Sequence, residues 1–336
     1  MSYKKLLIIG PWCGEFCYEL SWWIPEVRKV RKTEFADWDA IAVGFEGRKV
    51  LYEDFTQKYH PYSKEIDDTL MYPATYGEHI NGQDIIPDNL KDFVVKIAES
   101  YQLLGYEEIR VWWPGTFPIS AQRTMSNELF GEPRHYEAKK EILDLVKKEI
   151  HFDNNRETVA VMARIRYRMG SVCRLDWNPK HWETFIDMLV NDLKVNVVMI
   201  GIPRKEGSSA GGALSMKDTD MYKKNKDNIK PIVFSGEDSV ERQIALLQST
   251  KCSIYGASGT AVFPFFIKDA PTFTQQTKQE GFRLKFKWER DLTNNLKNVK
   301  VFDKYDNHKI YESPPEELFE EFKKFYNNID KGICYE

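Results

Sequence analysis

The sequence predicts an α/β protein made of two Rossmann-like halves that face a central cleft. Three observations predict it. Short apolar runs end at glycine near residues 6–10, 196–201 and 252–256. Segments with helical apolar spacing lie between such runs. The pattern stops at a polar stretch, residues 151–156, and then starts again. Strands that alternate with helices imply parallel sheets.

The elements follow in order. Residues 6–10 read as a buried parallel strand, followed by a tight turn with Gly14 and an aromatic helical segment through Trp22, Trp23 and Pro25. Strands are predicted at 40–43 and 109–113. Helices are predicted at 89–104, on the spacing of Leu90, Phe93, Val94, Ile97, Ala98 and Tyr101, and at 137–150. After the break come a strand at 158–163, a helix at 182–193 and a strand at 196–201. Residues 203–228 are rich in Gly, Ser and Lys and read as a mobile loop. A short strand at 232–234, a helix from an N-cap at Ser239 through Leu247, and a strand at 252–255 follow. The apolar segment 261–267 comes next. Ser313-Pro314-Pro315-Glu316-Glu317 starts a last helix. The predicted domains are residues 1–152 and 153–312, each Rossmann-like, and 313–336, a helix packing back towards the first.

Bulk properties narrow the class. The chain of 336 residues is 42% apolar and 29% charged, which is globular composition. No apolar run approaches the roughly 18 residues of a membrane span, and no signal-peptide pattern is expected, so the predicted location is the cytoplasm, or the host cytoplasm for a viral protein. The five cysteines are scattered and odd in number, which fits a reducing compartment. Cys13 and Cys17 lie close together, but no second pair completes a zinc set, so no metal is expected. A net charge of −3 excludes a wholly basic nucleic-acid wrapper but allows a local basic face.

Three constellations can carry chemistry. Glu15 sits in or just after the glycine turn at the carboxyl end of the first strand, where ligands bind in open α/β sheets. It is a candidate general base; the plainer account is an acid favouring a helix N-terminus. Glu19, about one helical turn on, is the rival base. Gly256-Ala257-Ser258-Gly259-Thr260 is a strand–turn–helix junction. Its backbone N–H groups and the Ser258 and Thr260 hydroxyls suit an anion, although glycine there can serve backbone shape alone. Arg164, Arg166, Arg168 and Arg174 follow the strand at 158–163 with no acid between them. Arginine supplies permanent, planar donors for phosphate; the plainer account is a solvated charged loop. His60, His79 and His135 are isolated and read as structural.

In this order the sites resemble those of GT-B-fold glycosyltransferases, particularly the heptosyltransferase-like branch. Gly14-Glu15 followed by Pro25 matches the acidic turn and the proline-bearing helix. Val159 to Arg164, then Asn178-Pro179 and Trp182, match the opening of the second domain, and Ser258-Gly259-Thr260 with Pro264 or Pro271 matches the segment near the donor phosphates. Trp12 and Cys13 stand where small residues are usual, and Ala257 stands where an Asp is usual. The Gly-Glu-Phe-x-Tyr-Glu-Leu opening is also similar to a glycosyltransferase-like group of phages and bacteria.

The resemblance implies inverting, metal-independent sugar transfer from a nucleotide-diphosphate sugar, with UDP-sugar favoured. No cofactor is implied beyond that co-substrate. Arg164, Arg166, Arg168, Arg174, Gly201, Ser258, Gly259 and Thr260 would bind the donor, and Glu15 or Glu19 would take the acceptor proton. Trp12, Lys285 and Lys287 are expected on the acceptor side. There Lys278, Arg283, Lys285, Lys287 and Arg290 interleave with Phe282, Phe286 and Trp288, a mixture that can track a nucleic-acid backbone; the plainer account is an amphipathic strand. The acceptor is either a hydroxymethylated base in phage DNA or a glycan. Alternatives are a nucleotide-sugar epimerase of the same fold and a non-catalytic nucleotide- or DNA-binding module.

Overall fold

The computed structural model describes residues 3–14, 16, 19–66, 86–113, 134–165, 167–168, 171–172, 176–201, 212–214, 216–256, 259–278, 299–306 and 309–331. The chain divides into two compact units, Met1–Arg134 with Ser235–Glu241, and His135–Phe234 with Arg242–Glu336. No helix among the described residues is long and apolar enough to cross a membrane.

The first unit is a four-stranded parallel sheet of β1 (Lys5–Ile9), β2 (Asp39–Gly44), β3 (Lys58–Pro61) and β4 (Glu108–Trp112), in the order β3-β2-β1-β4. Leu6 to Ile9 of β1 are all buried, as an uninterrupted apolar strand in a parallel sheet must be. The chain leaves β1 through Gly10, whose N–H donates to the Trp112 carbonyl at 2.8 Å. A π-helical turn, Glu19–Trp23, leads into the helix Ile24–Thr33, with Pro25 in its first turn and Arg31 and Lys32 in its last. The helical segment expected after the glycine turn is thus present, its described part opening as a π-helical turn. The helix Asp88–Leu103 buries Leu90, Val94, Ile97 and Tyr101, the stripe its spacing predicts.

The second unit adds β5 (Thr158–Met162), β6 (Arg164–Ile165), β7 (Tyr167–Arg168), β8 (Ser171–Val172), β9 (Asn196–Ile200), β10 (Gly212–Ala213), β11 (Ile229–Ile232), β12 (Cys252–Tyr255), β13 (Thr272–Thr277) and β14 (Val299–Tyr305). Six of them form a wholly parallel sheet in the order β11-β9-β5-β12-β13-β14. Counted along the chain, this is the doubly wound order that runs one way from β5 and then restarts on its other side at β12. Short antiparallel pairs, β6 with β10 and β7 with β8, sit apart from it. The helix Pro179–Asn191 joins β5 to β9, and the helix Ser239–Ser249 precedes β12. Asn178 caps the former by accepting from the Lys180 N–H at 2.9 Å.

Several expectations are corrected. The helix Lys140–Glu149 belongs to the second unit, so the division falls at 134/135 and not at 152/153. The last helix, Pro315–Ile329, was expected to pack back onto the first domain. Its apolar stripe of Leu318, Phe319, Phe322 and Phe325 lies instead in the second unit's core beside Phe185 and Phe273. The stretch expected to be a mobile loop contains the helix Asp220–Asn225. Thr219 caps it by accepting from the Tyr222 N–H at 3.1 Å, and Met221 and Tyr222 pack on the core; residues 202–211 and 215 lie outside the described set. The strand expected at 232–234 sits earlier, as β11, at the sheet edge where Pro231 is tolerated.

Phe322 holds this core together. It is fully buried, with ring centroids 5.5 Å from Phe273 and 6.0 Å from Phe185. Phe322→Ala should lower unfolding stability by about 3–5 kcal/mol, because the vacated volume stays partly empty. Urea denaturation followed by circular dichroism measures this; a loss below about 1 kcal/mol would contradict the placement of the last helix.

Candidate functional site

The strand order singles out one place in the second unit. β5 and β12 are neighbours, but the chain leaves them towards opposite sides of the sheet. The connections that follow their carboxyl ends diverge at this switch point, which is the position where ligands bind in open α/β sheets. Two expected donor residues meet at this point. Gly256 follows β12 directly, and its N–H donates to the Met162 carbonyl at the end of β5 at 3.1 Å. A β-carbon on Gly256 would lie 3.5 Å from both the backbone N and the Cβ of Arg164. Gly201 ends the next strand, β9, at the same edge. Its φ of +107° calls for glycine.

Gly256 is glycine for another reason. Its backbone is not left-handed; a β-carbon there would come within 2.9 Å of Trp182 Cζ2. The residue leaves room for a tryptophan, so its role is packing and not the backbone shape that the motif suggested. Beyond it, Gly259 and Thr260 open the helix Gly259–Phe266, whose first N–H groups have no partners within the helix.

Arg164 has an acid partner that the sequence did not reveal. Asp176, completely buried, sits with Oδ1 3.9 Å from Arg164 Nε, and the arginine side chain is 18% exposed. The carboxylate offsets part of the guanidinium's charge, so this part of the arginine cluster is not an unneutralised cationic loop. Trp182, at the head of the helix Pro179–Asn191, is fully buried; its ring meets Trp177 at 4.9 Å between centroids. Lys180, two residues earlier, has a side chain 80% exposed and pairs with Glu183 at 3.1 Å. A small apolar pocket of about 40 Å³ adjoins Gly201, lined by Met199, Ala213, Met216, Tyr222 and Val233.

At the carboxyl edge of the first unit the structure corrects two assignments. Trp12 is fully buried, stacked on Trp23 at 5.7 Å, and its carbonyl accepts from the Tyr62 hydroxyl at 2.9 Å. It is a core residue and not an acceptor contact. Glu19 is also fully buried; it accepts from the Tyr52 hydroxyl at 2.7 Å and pairs with Arg48. The Arg48 guanidinium lies 4.7 Å from the ring centre of Phe16 and 4.4 Å from that of Phe45. A carboxylate held this way has no path to an acceptor hydroxyl, so Glu19 is not the base. Burial pushes the Cys13 thiol up to about 12, which leaves it unreactive at neutral pH. Burial, and then Lys58, lowers the pKa of His60, which shares a hydrogen bond with the Tyr101 hydroxyl at 3.2 Å. Burial likewise lowers that of His135.

Glu15, Arg166, Arg174, Ser258, Lys285 and Lys287 lie outside the described residues, as does His79. Arg168 and Thr260 are placed by backbone only, in β7 and in the helix Gly259–Phe266. Asp176, Arg48 and the packing role of Trp182 were not identified from sequence. No local pattern links Arg48 to Glu19 or Asp176 to Arg164.

Glu19→Gln should cost about 3 kcal/mol in unfolding stability, because it removes the buried charge facing Arg48. A urea midpoint at the wild-type value, together with a large loss of turnover, would restore Glu19 as the base.

No protein-family model and no curated protein matches this sequence. Solved structures do match. ADP-heptose LPS heptosyltransferase II of E. coli aligns with a TM-score of 0.55 at 12% identity, over 97% of this chain and 99% of that one. A glycosyl transferase of family 9 from Veillonella parvula aligns at a TM-score of 0.45 and 9% identity, over 97% and 98%. The UDP-GlcNAc 2-epimerase of Methanocaldococcus jannaschii aligns at 0.41 and 12%, over 96% and 93%. At such identities the likeness is one of fold, and the first match carries it: this chain has the GT-B fold in the form seen in that heptosyltransferase.

Proposed function

We propose that the protein is an inverting glycosyltransferase that takes its sugar from a nucleotide-diphosphate sugar, with UDP-sugar favoured. The observation that carries this reading is the meeting of Arg164 and Gly256 where β5 and β12 part. A permanent cation and the start of a helix beside one switch point suit a diphosphate. The apolar pocket beside Gly201, two strands across from β12 at the same edge, suits the flat face of a nucleobase.

The chemistry then runs as a single displacement. The acceptor oxygen forms a bond to the anomeric carbon as the bond from that carbon to the diphosphate oxygen breaks. The electron pair leaves with the nucleoside diphosphate. Arg164, with Arg166, Arg168 and Arg174, stabilises the charge that builds there, and Ser258, Gly259 and Thr260 donate hydrogen bonds to it, so the reaction needs no metal. Glu15, on the turn after β1, accepts the acceptor proton. The acceptor is a hydroxyl of a glycan or of a hydroxymethylated base in phage DNA, with Lys285 and Lys287 as the backbone contacts in the second case.

Calorimetric titration with UDP, GDP, ADP and CMP and their sugars tests donor binding. Glycan and hydroxymethylated-DNA acceptors then test transfer. The expected result is a nucleoside diphosphate bound by wild type and bound about tenfold or more weakly by Arg164→Ala, since charge-assisted hydrogen bonds carry energies of that order. Glu15→Gln should lose on the order of 10²–10⁴ in kcat with little change in donor affinity. Release of free nucleotide without any acceptor would point to an epimerase. Binding without turnover, indifferent to Glu15→Gln, would point to a binding module.

A further inference from the structure

Beside this switch point lies a donor that no described residue uses. The indole Nε1 of Trp182 is shut from solvent and has no hydrogen-bond partner among the described residues. Trp182 as a whole is fully buried. Buried indole N–H groups ordinarily find an acceptor, and leaving one unmatched destabilises the fold. Such an atom calls for an explanation, and its surroundings supply one.

The ring is pressed against the switch point. Its Cζ2 edge is the atom that a β-carbon on Gly256 would strike, at 2.9 Å. Cζ2 and Nε1 are both bonded to or adjacent to the ring-fusion carbon Cε2, so the N–H lies on the side of the indole that faces Gly256. The same glycine borders Arg164. The Trp177 ring, 4.9 Å away between centroids, and Phe185, at 6.0 Å, hold the indole from behind. The Trp177 N–H, by contrast, is satisfied: it donates to the Ser313 carbonyl at 2.8 Å. One tryptophan of the pair is bonded and serves as the wall. The other is held rigidly with its donor unspent, one glycine away from the switch point.

We propose that Trp182 is a donor-binding residue: its indole N–H donates to an anionic oxygen of the nucleotide sugar's diphosphate, and Gly256 is glycine so that the two can meet. This rests on the nucleotide-sugar reading above and adds to it a neutral, fixed donor beside the arginine. An indole donor carries no charge, so it adds directionality without deepening the positive potential that Asp176 already offsets. It also accounts for two sequence features by one contact, the tryptophan at the head of the helix Pro179–Asn191 and the glycine directly after β12.

The test uses the full chain labelled with ¹⁵N at tryptophan. The protein has nine tryptophans, and the indole signal of Trp182 is identified by its absence from Trp182→Phe. Inorganic pyrophosphate is titrated first, then UDP, GDP and ADP, with the parent nucleosides as controls. The expected result is a downfield shift of the Trp182 indole proton, larger than that of any other indole, on binding of pyrophosphate or of a nucleoside diphosphate but not of a nucleoside. Trp182→Phe, which keeps one aromatic ring and removes the N–H, should bind the diphosphate about tenfold or more weakly, as expected for a hydrogen bond to a charged group. Gly256→Ala should weaken it as well, by forcing the indole back. If Trp182→Phe fails to fold, sequential assignment of the wild-type signals replaces it, and the shift alone decides. A Trp182 signal that stays in place while wild type binds the diphosphate, or equal affinity in Trp182→Phe, overturns the role of Trp182 and leaves the nucleotide-sugar reading standing. Failure of wild type to bind pyrophosphate or any of the nucleoside diphosphates overturns both.

Discussion

The parting of β5 and β12 is the constraint on which the second unit's chemistry depends. A parallel sheet whose chain first runs one way from a central strand and then restarts on its other side leaves a gap at the restart that no crossover helix fills. Here the restart is at β12. Everything placed at that gap is placed by the strands themselves: Gly256 by its hydrogen bond to the end of β5, Arg164 by the short strand that follows β5, and the helix Gly259–Phe266 by the exit from β12. Strands buried on both faces fix these backbone positions, and a site placed in this way loses less affinity to ordering than one assembled wholly on binding.

Buried charge supports both sheet edges in the same way. Glu19 is held by Arg48 and Tyr52, and Asp176 stands behind Arg164. In each case a carboxylate with no exposure faces a partly exposed guanidinium, hydrogen-bonded to it at Arg48 and only near it at Arg164. Such a pair adds little net stability, but removing one partner is costly because the other stays buried. The two pairs differ in use. Arg48 is stacked between Phe16 and Phe45 and so braces the turn after β1. Arg164 borders the switch point itself.

Much of the fold was legible because parallel strands buried on both faces read as unbroken apolar runs. The middles of β1, β5 and β9 do so, β12 nearly so, and the helix Asp88–Leu103 shows its stripe plainly. β13 was not legible, since Thr272-Phe273-Thr274-Gln275-Gln276-Thr277 is mostly polar; side-chain hydrogen bonds such as Ser253 to Thr272 at 2.8 Å make its burial possible. The helix Asp220–Asn225 hid in a polar stretch because one cap and two packed side chains were enough to form it. At the site, the glycines and Arg164 could be found from local pattern. The burial of Glu19 could not, because it depends on Arg48, which is 29 residues away. Trp12 misled for a related reason: an aromatic residue beside a glycine turn has the same local pattern whether it lines a pocket or fills a core, and only its stacking on Trp23 decides.

Hydrogen–deuterium exchange with and without a nucleoside diphosphate tests the central claim most directly, since backbone amides that bind a ligand or are ordered by it exchange more slowly. Protection confined to peptides covering residues 162–165 and 255–262, the two ends that part at the restart of the sheet, is the predicted result. Protection that leaves those peptides unchanged and falls elsewhere in the chain would contradict it.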